Sequence, residues 1–446
     1  MSSEWPRFRV AELQAARRIL VEDGNHGEYR PRSEEFASSG VSFIRAADMA
    51  DGRVLFDSAA CINEVARARI RKGIGRPGDV LLSHKGTVGK VALVPERCPE
   101  YVCSPQTTFW RVLDETTVDR RYLFAYLQSQ EFKDQLASRK GETDMADYVS
   151  LTAQRQLSVP LPRLEVQQAI GRHLTMLSDR IALLRETNAT LEAVAQALFK
   201  SWFVDFDPVR AKSLGLAPAG MDEATVALFP DGFEESALGS IPASWSVAKL
   251  GEVTAYLNRG ISPKYLDSGG IRVLNQKCVR DFAVDMSKAR RHDAAQKSVA
   301  GRELKVGDVL VNSTDVGTLG RVAQILALDE TTIVDSHVTV VRAGERVTWN
   351  FLGLAMMRRQ AEIEGLGEGT TGQTELSRGK LATLPFVVPP EAMLRIFDAA
   401  ILPLRMRLSA NAQQAQTLAT LRDTLLPRLT SGQLRLPDAE ALPTAT

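Results

Sequence analysis

The sequence predicts an α/β (α+β) protein in which two similar globular modules are separated by two long antiparallel coiled-coil helices, an internal duplication with pseudo-two-fold symmetry. Three observations predict it. A strand-turn-strand motif occurs twice, and so does a ten-position apolar seam at helical spacing. The composition, 44% hydrophobic and 24% charged over 446 residues, is that of an ordinary globular chain too long for one compact core.

The duplicated motif comes first. Residues 78–93 read GDVLLSHKGTVGKVAL, and residues 307–324 read GDVLVNSTDVGTLGRVAQ. The GTVGK string is not a phosphate loop. In G-x-x-x-x-G-K-[ST] the first glycine's place is held by His84 and the hydroxyl's place by Val91. What repeats is the frame, GDVL followed by G-T-x-G-basic-V-A, while the residues between are rewritten. SPQTTFWRV (104–112) then lies opposite DSHVTVVRA (335–343), both alternating like strands. YLFAYLQSQEFKDQL (122–136) lies opposite FLGLAMMRRQAEIEGL (351–366), both amphipathic and helical, and a glycine-rich turn follows each. A fixed frame with variable loops is the pattern of a scaffold that presents recognition residues.

The helices follow. In the first copy the seam runs Ile170, Leu174, Leu177, Ile181, Leu184, Asn188, Leu191, Ala195, Leu198, Trp202. Displaced by 227 positions, the second runs Phe397, Ile401, Leu404, Leu408, Asn411, Ala415, Leu418, Arg422, Leu425, Leu429. A mean spacing of about 3.5 marks a coiled-coil seam, and the polar Asn188 and Asn411 can fix its register. Pro403 and Pro427 predict a kink or a late start near 403 in the second helix. A helix over 166–202 would span roughly 55 Å. The expected boundaries are modules at 1–152 and 241–380, helical spacers at 153–206 and 381–436, a connector with at most a short helix at 207–240, and a tail at 437–446. Phe199, Trp202 and Phe203, beside the first seam with Leu198, are expected on the surface as a docking site for a partner.

The net charge is only +1, so charge must be sought locally. Arg67, Arg69, Arg71, Lys72 and Arg76 form a run without acids, and Lys288, Arg290, Arg291, Lys297, Arg302 and Lys305 occupy the same place before the second GDVL. In register in both copies, such runs suit phosphate contacts on a DNA duplex, which position a protein without reading sequence. Base edges are read by short polar or cationic side chains on loops. The candidates that differ between copies are Ser83, His84 and Lys85 against Asn312, Ser313, Thr314 and Asp315. Asn25, His26, Tyr29 and Arg30 in DGNHGEYRP, and Lys264 and Tyr265 in NRGISPKY, complete the set.

No catalytic or metal-binding motif is evident. There is no H-E-x-x-H, no G-x-S-x-G, no nuclease P-D…E-x-K and no [DNS]-P-P-[YFW] clamp; DFDPV at 205–209 does not fit the last. Four cysteines without C-x-x-C spacing and an N-terminus without an apolar core predict a reduced, metal-free, cytoplasmic protein. No apolar run reaches membrane-spanning length.

The segment 160–212, PLPRLEVQQAIGRHLTMLSDRIALLRETNATLEAVAQALFKSWFVDFDPVRAK, resembles the central region of Type I restriction–modification specificity subunits. TLATLRDTLLPRLTSGQLRL resembles the distal copy of that region, and DGNHGEYRP, GVSFIRAADM, RPGDVLLSHKGTVGKVALVP and CSPQTTFWR resemble a target-recognition domain of the family. The resemblance implies a non-catalytic DNA-binding subunit of a host-defence restriction system. Each module would read one half of a bipartite double-stranded target, with the helices as a ruler. Two methyltransferase subunits would bind S-adenosylmethionine and methylate adenine, and motor-nuclease subunits would use ATP and Mg²⁺; this chain itself would hold no cofactor. The rival reading is a coiled-coil protein–protein scaffold without sequence-specific DNA binding, which the salt dependence of DNA binding would distinguish.

Overall fold

The computed structural model describes residues 5–24, 27–139, 147–315, 317–368 and 374–436. The chain divides into two compact units, residues 1–184 with 414–446 and residues 185–413, so that each long helix contributes to both.

In the first unit a four-stranded antiparallel sheet has the order Ile19–Asp23, Thr107–Val112, Val80–Ser83, Val91–Leu93. A second sheet has the order Tyr101–Cys103, Val41–Ile44, Cys61–Ile62, Phe36–Ala37, its first pair parallel. The GDVLLS run is a central strand with both faces covered. Val80 and Leu82 pack with Trp110, Tyr122 and Phe132, while Leu81 faces Tyr101 and Phe109. That is why it reads as continuously apolar rather than alternating.

The second unit repeats this topology. Thr254–Arg259, Val338–Ala343, Val309–Asn312 and Val322–Gln324 form one sheet, and Tyr265–Leu266, Arg290–His292, Ile271–Leu274 and Thr332–Val334 the other, again with one parallel pair. Arg7–Arg9 pairs with Ser158–Pro160, and Ser246–Lys249 pairs likewise with Pro385–Val388. Each module therefore runs a few residues past 152 and 380 before its helix begins.

The frame that repeats has a structural cause. Asp79 and Asp308, the aspartates of the two GDVL strings, are fully buried. Arg111 grips Asp79 through Nε and Nη2 at 2.7 and 2.8 Å, and Arg342 grips Asp308 at 2.7 and 2.7 Å. The same carboxylates accept the backbone N–H of Arg76 and of Lys305, each at 2.8 Å. The fork geometry of arginine suits such bidentate pairing.

The long helices are Leu164–Phe203 and Glu391–Ser431, of 40 and 41 residues. All twenty predicted seam positions are buried or half-buried. In the first unit Ile170, Leu174 and Leu429 share one cluster, and Ile181, Leu184 and Ala415 share another with Leu418. In the second unit Asn188 Nδ2 donates to the Leu408 carbonyl at 3.0 Å, and Asn411 Nδ2 to Asn188 Oδ1 at 2.9 Å. Nearby Arg405, 2% exposed, meets Glu192 at 3.2 Å. In each unit, advancing along one helix means retreating along the other, so the pairing is antiparallel.

The late start expected near 403 does not occur, since the second helix starts at Glu391 and continues through Pro403 and Pro427. A mid-helix proline costs about 3 kcal/mol or more, which the buried Phe397, Ile401 and Leu408 around the first of them offset. The connector holds more than a short helix. Asp207–Ser213 and Glu223–Ala227 are helical, and Phe233–Ser236 forms a hairpin with Gly239–Pro242. Among the described residues no helix is long and apolar enough to cross a membrane.

Candidate functional site

In each module the loops at one end of the first sheet converge. In the first module His84 N donates to the Gln106 carbonyl at 2.9 Å, Ser104 N to the Ile44 carbonyl at 2.8 Å, and Gly86 N to the Asp147 carbonyl at 3.0 Å. Lys90 Nζ ties the hairpin to the Ala46 carbonyl at 2.9 Å. The loop opening at Gly24 joins them so closely that a Cβ there would lie 2.0 Å from the Cys103 carbonyl oxygen. The second module matches it. Ser313 N donates to the His337 carbonyl at 2.8 Å, Leu376 N to the Ser313 carbonyl at 2.8 Å, and a Cβ on Gly260 would lie 2.0 Å from the Val334 carbonyl oxygen. These two glycines explain why DGNHGEYRP and NRGISPKY share a glycine at the same place.

The framework is common, but the side chains at the tips differ. The first cluster exposes Arg30, Lys85 and Gln106, with Tyr148 half-buried beside the His84 ring, while Arg45 is engaged by both oxygens of Asp48 at 3.0 and 3.2 Å. The second carries Gln276, Thr314, Asp315 and His337. Thr314 Oγ1 lies 2.8 Å from His337 Nδ1, and Gln276 Nε2 donates to Asp315 Oδ2 at 2.9 Å. The first tip carries the cations Arg30 and Lys85; the second holds the Asp315 carboxylate hydrogen-bonded to Gln276. Gln106, Tyr148, Gln276 and His337 lie beside these candidates but are not among the residues that the sequence singles out. The alignment of SPQTTF with DSHVTV, which puts Gln106 opposite His337, carried the signal for two of them.

Several predicted site residues are elsewhere. Ser83, His84, Asn312 and Ser313 are each at most 2% exposed, so their side chains cannot reach a base edge from these positions. Ser83 Oγ accepts from Lys90 N at 2.8 Å, His84 Nδ1 lies 3.1 Å from the Val149 carbonyl, Asn312 Nδ2 donates to the Gln276 carbonyl at 3.0 Å, and Ser313 meets Thr339 at 2.5 Å. Burial pushes the His84 imidazole below its usual range, which keeps it neutral. They hold the hairpin tips in place rather than present themselves. Tyr29, Arg30, Lys85, Lys264 and Tyr265 are exposed, Thr314 is half-buried, and Asn25 and His26 lie outside the described residues.

The basic runs divide similarly. Arg71, Lys72, Arg76, Lys288 and Arg290 are exposed, the last stacked over the Tyr265 ring at 3.4 Å. Arg67 is engaged by Glu100 at 2.5 Å and Arg291 by Glu330 at 2.7 Å, while Lys297 Nζ donates to the Ser262 carbonyl at 3.0 Å. Arg69 grips both oxygens of the buried Glu35 at 2.6 Å. It braces the module instead of waiting for phosphate.

The Arg69 guanidinium, with the Arg32 backbone N–H, holds the Glu35 carboxyl down from 4.5 to about 2. A carboxylate whose folded-state pKa is depressed contributes stability that is present above its unfolded value and lost as pH falls. Acid unfolding should therefore steepen below pH 4.5 and continue toward pH 2 in the wild type. In Glu35→Gln that component should be absent, as followed by circular dichroism; identical acid profiles would refute the assignment.

Phe199, Trp202 and Phe203 are 4%, 4% and 6% exposed and do not form a docking surface. They pack within the second unit on Phe351 and Phe397, with Trp245 and Phe229 completing the aromatic cluster.

Comparison with known proteins gives the class. Residues 21–193, covering the first module and most of its helix, match the model of the Type I restriction modification DNA specificity domain. The chain is 24% identical over 444 residues to the Type I restriction enzyme HindI specificity subunit of Haemophilus influenzae, covering 89% of this chain and 95% of the relative. It is 23% identical over 418 residues to the MjaIX specificity subunit of Methanocaldococcus jannaschii, covering 91% and 89%. The crystal structure of the Type I restriction–modification S subunit from M. genitalium shares the fold, with TM-score 0.59 and 14% identity over 96% of this chain and 97% of that one. The first module is thus similar to a Type I DNA specificity domain. The chain as a whole, duplicated topology included, is a relative of Type I restriction–modification specificity subunits.

Proposed function

We propose that this chain is the non-catalytic specificity subunit of a Type I restriction–modification complex, each module reading one half of a bipartite DNA target. The observation that carries this is the pair of loop clusters, built on one framework and tipped with different side chains, Lys85 and Gln106 against Thr314, Asp315 and His337. A common scaffold with unlike tips suits two unlike half-sites. The exposed Arg71, Lys72, Arg76, Lys288 and Arg290 supply phosphate contacts, which position the modules without reading sequence. The paired helices set the unread gap. They also carry the modification subunits, for which the exposed Leu402 and Met406 of the second helix, rather than Phe199, Trp202 and Phe203, offer apolar area. Two such subunits would supply S-adenosylmethionine and methylate adenine in each half-site. Motor-nuclease subunits would supply ATP, Mg²⁺ and cleavage.

Mapping of modified bases in cells carrying the chain with its methyltransferase, against the same cells lacking the chain, tests this. A split motif with methyladenine in both halves, lost without the chain, is the expected result. Unchanged methylation with the subunits assembled would overturn it and bring the scaffold reading forward.

A further inference from the structure

We infer that Asp315 reads the half-site of the second module as a hydrogen-bond acceptor, selecting the exocyclic amino group of a cytosine; this rests on the function proposed above. Asp315 lies exposed at the hairpin tip with φ 83°. In the first module the turn is two residues shorter, and its Gly86, with φ 77°, matches Gly317, with φ 90°, in the shared G-T-x-G frame, so Asp315 lies in the part of the turn that only the second module has. Glycine adopts a positive φ without penalty, whereas an L-aspartate is strained there. The second module thus carries a strained carboxylate in a stretch of turn that its sister module lacks, and strain of this kind gathers at working sites.

The carboxylate is aimed by its neighbours. Gln276 Nε2 donates to Oδ2 at 2.9 Å, while Gln276 Oε1 accepts from Thr314 Oγ1 at 3.3 Å. The Gln276 backbone carbonyl accepts from the buried Asn312 at 3.0 Å, and Thr314 is linked to His337 at 2.8 Å. Among the described residues no lysine or arginine forms an ion pair with Asp315.

An acidic tip beside a polyanion is unfavourable unless the bases it meets donate to it. Guanine presents O6 and N7 in the major groove, and thymine presents O4, all acceptors that repel a carboxylate. Adenine offers its amino group beside the N7 acceptor. Cytosine alone offers an amino donor without an adjacent acceptor, and carboxylates pair with it. The acid therefore works by exclusion as much as by attraction.

Base-modification mapping with the complete complex tests this, using wild type, Asp315→Gly and Asp315→Asn, with melting temperatures alongside. The wild-type motif should hold a cytosine that Asp315→Gly renders degenerate, with about tenfold or greater loss of preference. The other half should be unchanged and the melting temperature not lowered. Asp315→Asn, which adds a donor, should shift the position toward adenine. A wild-type motif lacking cytosine in either half, or a motif identical in wild type and Asp315→Gly, would overturn the inference while leaving the specificity function standing. Absence of any split motif in wild type would overturn that function, and this inference with it.

Discussion

Arg111→Ala is expected to destabilise the first module by about 3–5 kcal/mol, the usual result of stripping one partner from a buried ion pair. The Asp79 side chain is 0% exposed and that of Arg111 13%. Without the guanidinium, Asp79 keeps only the Arg76 backbone N–H at 2.8 Å and the Tyr101 hydroxyl at 3.0 Å, too little for a carboxylate shut away from water. The arginine also links to the Ile74 carbonyl at 3.0 Å and covers the Phe109 ring at 4.3 Å, so packing is lost with charge. Against a total stability of about 5–15 kcal/mol, the loss removes a large share of the margin. Arg342→Ala should do the same in the second module but less severely, since Arg342 is 22% exposed. Urea unfolding would show a fall in midpoint for either variant. Removing both partners, as in Asp79→Leu with Arg111→Met, should recover much of it, because the isolated buried charge goes too. A shift below about 1 kcal/mol for Arg111→Ala would mean that water reaches the pair.

This pair also shows what a sequence yields and what it withholds. The duplication, the repeated strand-turn-strand frame and the helical seam are legible because they are periodic or repeated, and both properties survive without knowledge of distant contacts. The cause of the repeated GDVL was not legible, since Asp79 and Arg111 meet only when strands distant in sequence are laid side by side. The site suffered most at Ser83, His84, Asn312 and Ser313. They differ between copies, as recognition residues should, yet they continue a central strand whose faces are both covered. The apolar run before them was the warning: a strand buried on both sides does not surface abruptly at its last residue. Variation at these positions instead follows the tips they support, with a six-residue turn at Lys85–Lys90 in one copy and an eight-residue turn at Thr314–Arg321 in the other.

Phe203→Ala should lower stability by about 3–5 kcal/mol in the isolated chain, before any partner is added. Its ring lies 4.7 Å from that of Phe397, 5.1 Å from Phe351, 5.2 Å from Phe199 and 5.8 Å from Trp245. Deleting it opens a cavity among rigid groups that cannot easily collapse, which is the costly case. Phe203→Leu, closer in volume, should cost well under half as much. The position explains the string SWFVDFDP. The first long helix ends at Phe203, Phe206 turns the chain with φ 55°, and Asp207 and Pro208 start the next helix. Phe199, Trp202 and Phe203 are thereby spent on joining the end of one helix to the start of the other inside the second unit, not on recruiting a methyltransferase. The two roles separate cleanly in a thermal melt of the chain alone. A docking residue would leave the melt unchanged and weaken only assembly with the partner. A residue of this aromatic core lowers the melting temperature first, and any loss of assembly follows from it.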